Sequence, residues 1–159
     1  MCFQPSSSIL VRVAGLIAAC LLVCTSASFS GTPVRFNLVA GHWIVVPVII
    51  NGSGPYDLVL DTGSALSFID PSLITRLGGK EARRYQLLTA TGSMVVPCFR
   101  IENFRLGSQH VEYLDVLAHG GPEIQGIQVK GILGQDFLTK FNFILDYQSQ
   151  TITFEENEE

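Results

Sequence analysis

Short apolar runs separated by turn residues recur along the chain from about residue 40 onward. The first run, residues 43–50, is aromatic and β-branched, and the asparagine, glycine and proline of residues 51–55 follow it. Runs of this kind predict β-strands, and the residues between them predict tight turns. We expect strands or hairpins at residues 43–50, 56–60, 67–69, 82–89 with 94–101, 104–106 with 111–117, 129–133, and 143–147 with 151–154.

Helical patterns are few and short. Asp70 can cap a helix, Pro71 fits the first helical position and Gly78 can end it, so residues 70–78 are predicted to form a helix of about two turns. Residues 135–140 have a second short helical pattern. Many short strands with one or two short helices predict an all-β protein, built as a small barrel or a sandwich.

The first 27 residues have a different pattern. Arg12 precedes an unbroken apolar run, residues 13–24, and small residues follow at 25–27. This order is typical of a signal peptide and predicts a secreted or periplasmic protein. The apolar run is shorter than the roughly 20 residues of a membrane span, which argues against a permanent membrane helix. Two alternatives stay open: a lipoprotein modified at Cys20, or an uncleaved segment that tethers the protein to a membrane.

Composition narrows the function classes. The chain has 159 residues, of which 47% are hydrophobic and 15% charged, and its net charge is -4. This length suits one domain, predicted at residues 28–159 with a core at about 40–155 and a solvated acidic tail. The apolar fraction excludes a disordered chain, and the lack of a Lys/Arg cluster argues against a nucleic-acid partner.

Metal, cofactor and disulfide chemistry have little support. His42, His110 and His119 are scattered without ligand spacing, and no glycine-rich loop precedes a long helix, so neither a metal nor a cofactor is expected. Once the leader is removed, only Cys98 remains of the four cysteines. An intramolecular disulfide is then impossible, and we expect Cys98 to be a small core residue.

One carboxylate, that of Asp61, is a candidate for a catalytic group. Asp61 follows the large apolar residues 58–60, which places it at the edge of the core. Thr62 and Gly63 come next; a glycine allows close backbone approach, and a hydroxyl with neighbouring amides can hydrogen-bond a carboxylate. On these residues alone, an Asx-turn that merely ends the strand is the alternative.

Two motifs together resemble a known family. Residues 58–65 resemble the active-site signature of aspartic proteases, and Ile132, Leu133 and Gly134 resemble the second hallmark, which packs behind the active-site loop. The resemblance covers about residues 40–155 and is to the retropepsin-like proteins of bacteria. It implies a small closed β-barrel of the retropepsin-like type.

The resemblance also implies roles for individual residues. It implies that Asp61 is catalytic, that Thr62, Gly63 and Ser64 form the active-site loop, and that the hairpin tip Thr91, Gly92 and Ser93 is a flap. Because the chemistry needs two carboxylates and the chain has one Asp-Thr-Gly, it implies a homodimer that shares one site.

The implied function is that of an aspartic endopeptidase acting on a peptide or protein substrate. The alternative is a non-catalytic peptide-binding module that keeps the fold, since fold alone does not determine function. One departure from the retroviral members is visible: Leu66 and Ser67 stand where those carry acids, and Gln135 stands where they carry arginine. The corresponding acid–arginine network is therefore not expected here.

Overall fold

The computed structural model describes residues 31–89 and 92–155. The predicted signal peptide, residues 1–27, and the end of the acidic tail lie outside the described residues, so both stay predictions. Neither helix of the described residues is long and apolar enough to cross a membrane.

The described residues fold as an all-β protein with two short helices, as predicted. The helices are α1 (Pro71–Arg76) and α2 (Gln135–Leu138). The strands are β1 (Val34–Arg35), β2 (Asn37–Val39), β3 (Trp43–Ile50), β4 (Ser53–Leu60), β5 (Phe68–Ile69), β6 (Lys80–Thr89), β7 (Gly92–Leu106), β8 (Gln109–Ala118), β9 (Glu123–Ile124), β10 (Ile127–Gln128), β11 (Gly131–Leu133), β12 (Phe143–Asp146) and β13 (Thr151–Phe154).

The main sheet forms a ring of strands. Its order is β2-β3-β4-β11-β5-β8-β7-β6, and an additional pairing of β3 with β7 joins two strands that are distant in this order. β1, β13 and β12 form a second sheet, and β9 pairs with β10 in a small hairpin. A ring leaves few unpaired strand edges, and here β6 and β7 extend from it as a long hairpin.

Strand β7 differs from the expectation. The pattern predicted two strands, 94–101 and 104–106, but the structure has one strand of 15 residues. Asn103 adopts a positive φ of 49°, which asparagine tolerates better than most residues. Pairing to β8 continues on both sides of it, so the polar pair Glu102–Asn103 does not end the strand.

Helix α1 forms as the sequence predicts. The Asp70 carboxylate accepts a hydrogen bond from the Ser72 amide at 2.8 Å, and Pro71 occupies the first helical position. Hydrogen bonds from Ser72 lower the pKa of Asp70, because they stabilise the charged carboxylate. Leu73 and Ile74 lie on the inner face of the helix and are buried in the core.

Aromatic residues fill the centre of the core. Phe104, Phe137 and Phe154 are fully buried. Phe137 lies on α2, with its ring centroid 5.6 Å from that of Phe104 and 5.1 Å from that of Phe141. Helix α2 is therefore anchored to the core through Phe137, and the neighbouring Leu138 is buried in the same core.

We expect Phe137→Ala to lower the free energy of unfolding by about 3–5 kcal/mol, since it removes a buried ring and leaves a cavity. Val95→Ala is the matched control, because Val95 is 62% exposed and its loss should cost less than about 0.5 kcal/mol. Urea denaturation of both variants measures the difference. Equal midpoints for the two would contradict this account of the core.

Candidate active site

The Asp61 loop leaves the sheet beside a second loop. β4 and β11 pair in parallel, with Val59 opposite Ile132 and Leu60 opposite Leu133. Both strands therefore end at the same edge of the sheet. The Asp61 amide donates a hydrogen bond to the Leu133 carbonyl at 3.0 Å, so the first residue of one loop is tied to the last residue of the other strand.

The Asp61 carboxylate is oriented by its own loop. Its Oδ1 accepts a hydrogen bond from the Gly63 amide at 2.8 Å, and the Ser64 amide donates to the Asp61 carbonyl at 3.3 Å. Asp61 is half-buried, and no cation of the described residues pairs with it. The turn is of the Asx type. This geometry suits both a structural aspartate and one that is held in place for chemistry.

Gly134 allows the two loops to touch. A Cβ atom at this position would lie 2.7 Å from the Leu66 carbonyl oxygen and 2.8 Å from that of Ser64, far inside normal contact. The neighbouring Gln135 amide donates to the Ser64 carbonyl at 2.8 Å. Its side-chain Nε2 donates to the Thr62 carbonyl at 2.6 Å. Gln135 therefore holds the Asp61 loop at two points.

A buried polar pair forms the base of the site. Ser67 is fully buried, and its hydroxyl donates to Oδ1 of Asp136 at 2.6 Å. The Ser67 amide donates to Oδ2 of Asp136 at 2.8 Å, and the Gly134 amide donates to the Ser67 hydroxyl at 3.0 Å. The hydroxyl thus bridges the segment after Asp61 to the segment after Leu133.

Ser64 closes the loop on its far side. Its hydroxyl donates to the Leu66 carbonyl at 2.8 Å. The resemblance placed Thr62, Gly63 and Ser64 in one loop with Asp61, and the structure has all of them in this turn. It also places Ile132, Leu133 and Gly134 directly beside that turn.

The long hairpin carries the predicted flap. β6 and β7 pair up to Thr89 opposite Gly92, and Gln86 Nε2 donates to the Ser93 hydroxyl at 3.4 Å. Thr91 lies outside the described residues. Leu88 is 87% exposed near the tip. Exposure of a large apolar side chain at a hairpin end suits contact with a ligand or a partner.

An apolar cavity lies between the hairpin and the second hallmark. Its volume is about 320 Å³. Its lining residues come from the hairpin, from β5, from β11 and from the segment after β8: Phe68, Leu87, Leu88, Met94, His119 and Ile132. The His119 ring packs edge-on against Phe68, with ring centroids 6.1 Å apart. The cavity is therefore bounded by Ile132 of the second hallmark and is suited to an apolar side chain.

The described residues form neither a metal site nor a reactive cysteine site. No group of three metal-binding side chains comes together within residues 31–89 and 92–155. Cys98 is buried, as predicted, and burial raises the pKa of its thiol, which disfavours the reactive thiolate.

Comparison with known proteins agrees with the two motifs. A sequence profile described as "Aspartyl protease" matches residues 46–137, more than half of the chain. The chain belongs to this aspartyl protease family. Among solved structures, a retropepsin-like aspartic protease from Rickettsia conorii matches with a TM-score of 0.56 at 17% sequence identity. The match covers 79% of this chain and 91% of that chain.

These comparisons confirm the predicted fold type at the level of retropepsin-like architecture. At 17% identity the structural match reports the fold and no more. A comparison with curated protein sequences gives no significant match.

Sequence reasoning missed the contacts that hold this aspartyl protease loop. Asp136 lies in the first turn of α2, and its carboxylate accepts a hydrogen bond from the Phe137 amide at 3.0 Å. Its bonds to Ser67, 69 positions away, were not foreseen. The sequence signal for this contact was the polar residue at position 67, between the apolar residues Leu66 and Phe68.

We expect Ser67→Ala to lower the free energy of unfolding by about 1–3 kcal/mol, because it leaves the Gly134 amide and an Asp136 oxygen without their partner. Ser53→Ala is the control, since Ser53 is exposed and makes no side-chain hydrogen bond with the described residues. Thermal unfolding of both variants decides the question. A Ser67 variant as stable as the Ser53 variant would rule out a structural role for the hydroxyl.

Proposed function

We propose that the protein is an aspartic endopeptidase whose active site forms from two Asp61 carboxylates in a homodimer. The observation that carries the proposal is the Asp61 turn itself: a half-buried carboxylate that is oriented by the Gly63 amide and has no cationic partner within residues 31–89 and 92–155. A carboxylate that merely balanced charge would be expected to have a cation beside it. Membership of the aspartyl protease family supports the same assignment.

The homodimer follows from the number of acids. The chain has a single Asp-Thr-Gly sequence, and the described residues of one chain place no second carboxylate on the Asp61 loop. Asp136 is close in sequence to the second hallmark, but its oxygens are engaged by Ser67 and Phe137. A two-fold axis beside Asp61 would supply the missing acid from the partner chain.

The proposed mechanism is the one known for aspartic proteases. Two carboxylates in contact share one proton, since both cannot ionise cheaply. The ionised Asp61 removes a proton from a water molecule held between the pair, while the protonated Asp61 polarises the substrate carbonyl. The resulting hydroxide adds to the carbonyl carbon and gives a tetrahedral intermediate without an acyl-enzyme. This intermediate collapses when the carboxyl pair returns a proton to the amide nitrogen, which breaks the C–N bond.

Substrate contacts would come from the hairpin and the apolar cavity. The cavity is lined by Ile132 from the second hallmark and by Leu87 and Leu88 from β6. A peptide lying in extended form between the hairpin and the loop would place a side chain there. Movement of the hairpin tip would admit and release the peptide, as lids do in many enzymes.

We expect Asp61→Asn to abolish cleavage of a peptide library, with a loss of at least about a thousandfold in kcat/KM, since the amide cannot act as the general base. Asp57→Asn is the matched control, because Asp57 lies in β4 away from the loop. Mass spectrometry of the digested library measures both. Peptides that bind to wild type and are not cut would favour the non-catalytic binding module, whereas cleavage by Asp61→Asn at the rate of Asp57→Asn would reject Asp61 as the catalytic acid.

We expect a ninefold excess of Asp61→Asn chains to reduce the activity of wild-type chains to about a tenth. In a symmetric dimer each wild-type chain would then mostly pair with an inactive one. An equal excess of an unrelated protein is the control, and sedimentation of the mixture reports the assembly. Undiminished activity would mean that one chain suffices, and the shared site would be wrong.

A further inference from the structure

A second cavity lies at the base of the long hairpin, next to Leu66 and Asp136. Its volume is about 290 Å³. It is lined by the hairpin base, by β8, by α2 and its C-terminal end, and by Leu66, which follows the loop. The charged residues in this lining, here called the charged cavity, are Arg83, Arg100, Asp115, Asp136 and Lys140.

The acids of the charged cavity are already satisfied from within. Asp115 accepts two hydrogen bonds from Arg100, at 2.8 and 3.2 Å, and one from Arg83 at 3.1 Å. The bonds from Arg100 lower the pKa of Asp115, so this acid stays ionised. Asp136 is held by Ser67 and Phe137. Asp115 is therefore neutralised by two arginines, whereas the donors to Asp136 are neutral and leave its single negative charge in the balance of the cavity.

The cations, in contrast, exceed the acids. Arg83, Arg100 and Lys140 face two carboxylates, which leaves the charged cavity with one net positive charge. The Arg83 side chain is 57% exposed and lies over the Tyr85 ring, with 4.9 Å from Cζ to the ring centroid. Lys140 is exposed and makes no ion pair with the described residues.

Two further acids lie nearby without lining this cavity. Glu112 hydrogen-bonds Tyr113 and raises the pKa of its phenol, and Glu102 adds to that shift. Neither glutamate is among the lining residues. The excess of positive charge inside the cavity therefore stands.

One face of the hairpin connects the two cavities. Leu87, Tyr85 and Arg83 succeed one another at every second position of β6, and alternate residues of a strand share a face. Leu87 lines the apolar cavity, while Tyr85 and Arg83 line the charged one. Tyr85 and Leu87 also pack in one cluster with Leu66 and Phe68, which follow the Asp61 loop. Both cavities are therefore lined by the same face of β6.

We propose that the charged cavity is a distal substrate subsite that accepts an aspartate or glutamate side chain of the peptide. This inference rests on the proposed function. In an extended peptide, side chains on the same face recur every two residues, about 6.8 Å apart. Tyr85 and Arg83 line the charged cavity and lie two and four positions from Leu87, so the acidic residue of the peptide lies two or four positions from the residue in the apolar cavity.

The test is selection of a random peptide library on immobilised full-length chains that carry Asp61→Asn, which bind without cleaving. We expect Asp and Glu to be enriched about three- to fivefold over Asn and Gln at two or four positions from a large apolar residue. The enrichment should fall in 1 M salt, where charges are screened within about 3 Å.

Matched variants show whether the cations are responsible. Arg83→Gln with Lys140→Gln should remove the enrichment, while Arg83→Lys with Lys140→Arg should keep it. Arg105→Gln is the control, because Arg105 lies on β7 beside a different cavity. Circular dichroism checks that each variant is folded. Equal retention of acidic and amide residues, or enrichment that survives the double Gln variant, would overturn the proposal.

The outcome is separable from that of the proposed function. Cleavage that depends on Asp61 tests the endopeptidase, whereas the selection measures binding alone. A library cleaved by wild type but selected without acidic preference would reject the subsite and keep the endopeptidase. Acidic preference without any Asp61-dependent cleavage would keep the subsite in a protein that only binds peptides.

Discussion

The parallel pairing of β4 with β11 is the constraint on which the site depends. It brings two loops that are about 70 residues apart in sequence to one edge of the sheet, and the bond from the Asp61 amide to the Leu133 carbonyl fixes their distance. Close approach is possible only because residue 134 has no side chain. The orientation of the Asp61 carboxylate then follows from a short local turn.

The support behind this turn is built from neutral and singly charged groups. Gln135 bonds the Thr62 carbonyl, and the Ser67 hydroxyl links the Asp136 carboxylate to the Gly134 amide. An acid–arginine pair would hold the same segments by charge, which salt screens at exposed positions. Hydrogen bonds from neutral donors depend less on salt, and no cation of the described residues pairs with the Asp61 carboxylate.

Much of the fold could be predicted from local sequence. The apolar runs of β3, β4 and β8 and the Asp70–Pro71 start of α1 have strong local signals, and all are confirmed. Strands β1, β9 and β10 have only two residues each, too few for a periodic pattern. The continuity of β7 depends on Asn103 adopting a positive φ, which its neighbours in sequence do not dictate.

Only the part of the candidate site formed by residues adjacent in sequence was predictable. Asp61, Thr62 and Gly63 are adjacent and were found as a motif. The bond from Gln135 to Thr62 joins residues 73 positions apart, and its existence depends on the pairing of β4 with β11. No property of residue 135 alone predicts it. Long-range polar contacts of this kind require the topology first, and then the residue types become interpretable.

The length of β7 also has a mechanical consequence. At its far end it pairs with β3, Ile49 opposite Arg105 and Ile50 opposite Phe104, and Phe104 is fully buried. At its near end it reaches Gly92, beyond the ring. One end of the strand is thus fixed in the ring, and the other end extends beyond it. A displacement of the hairpin end is therefore connected to the wall of the ring by one continuous strand.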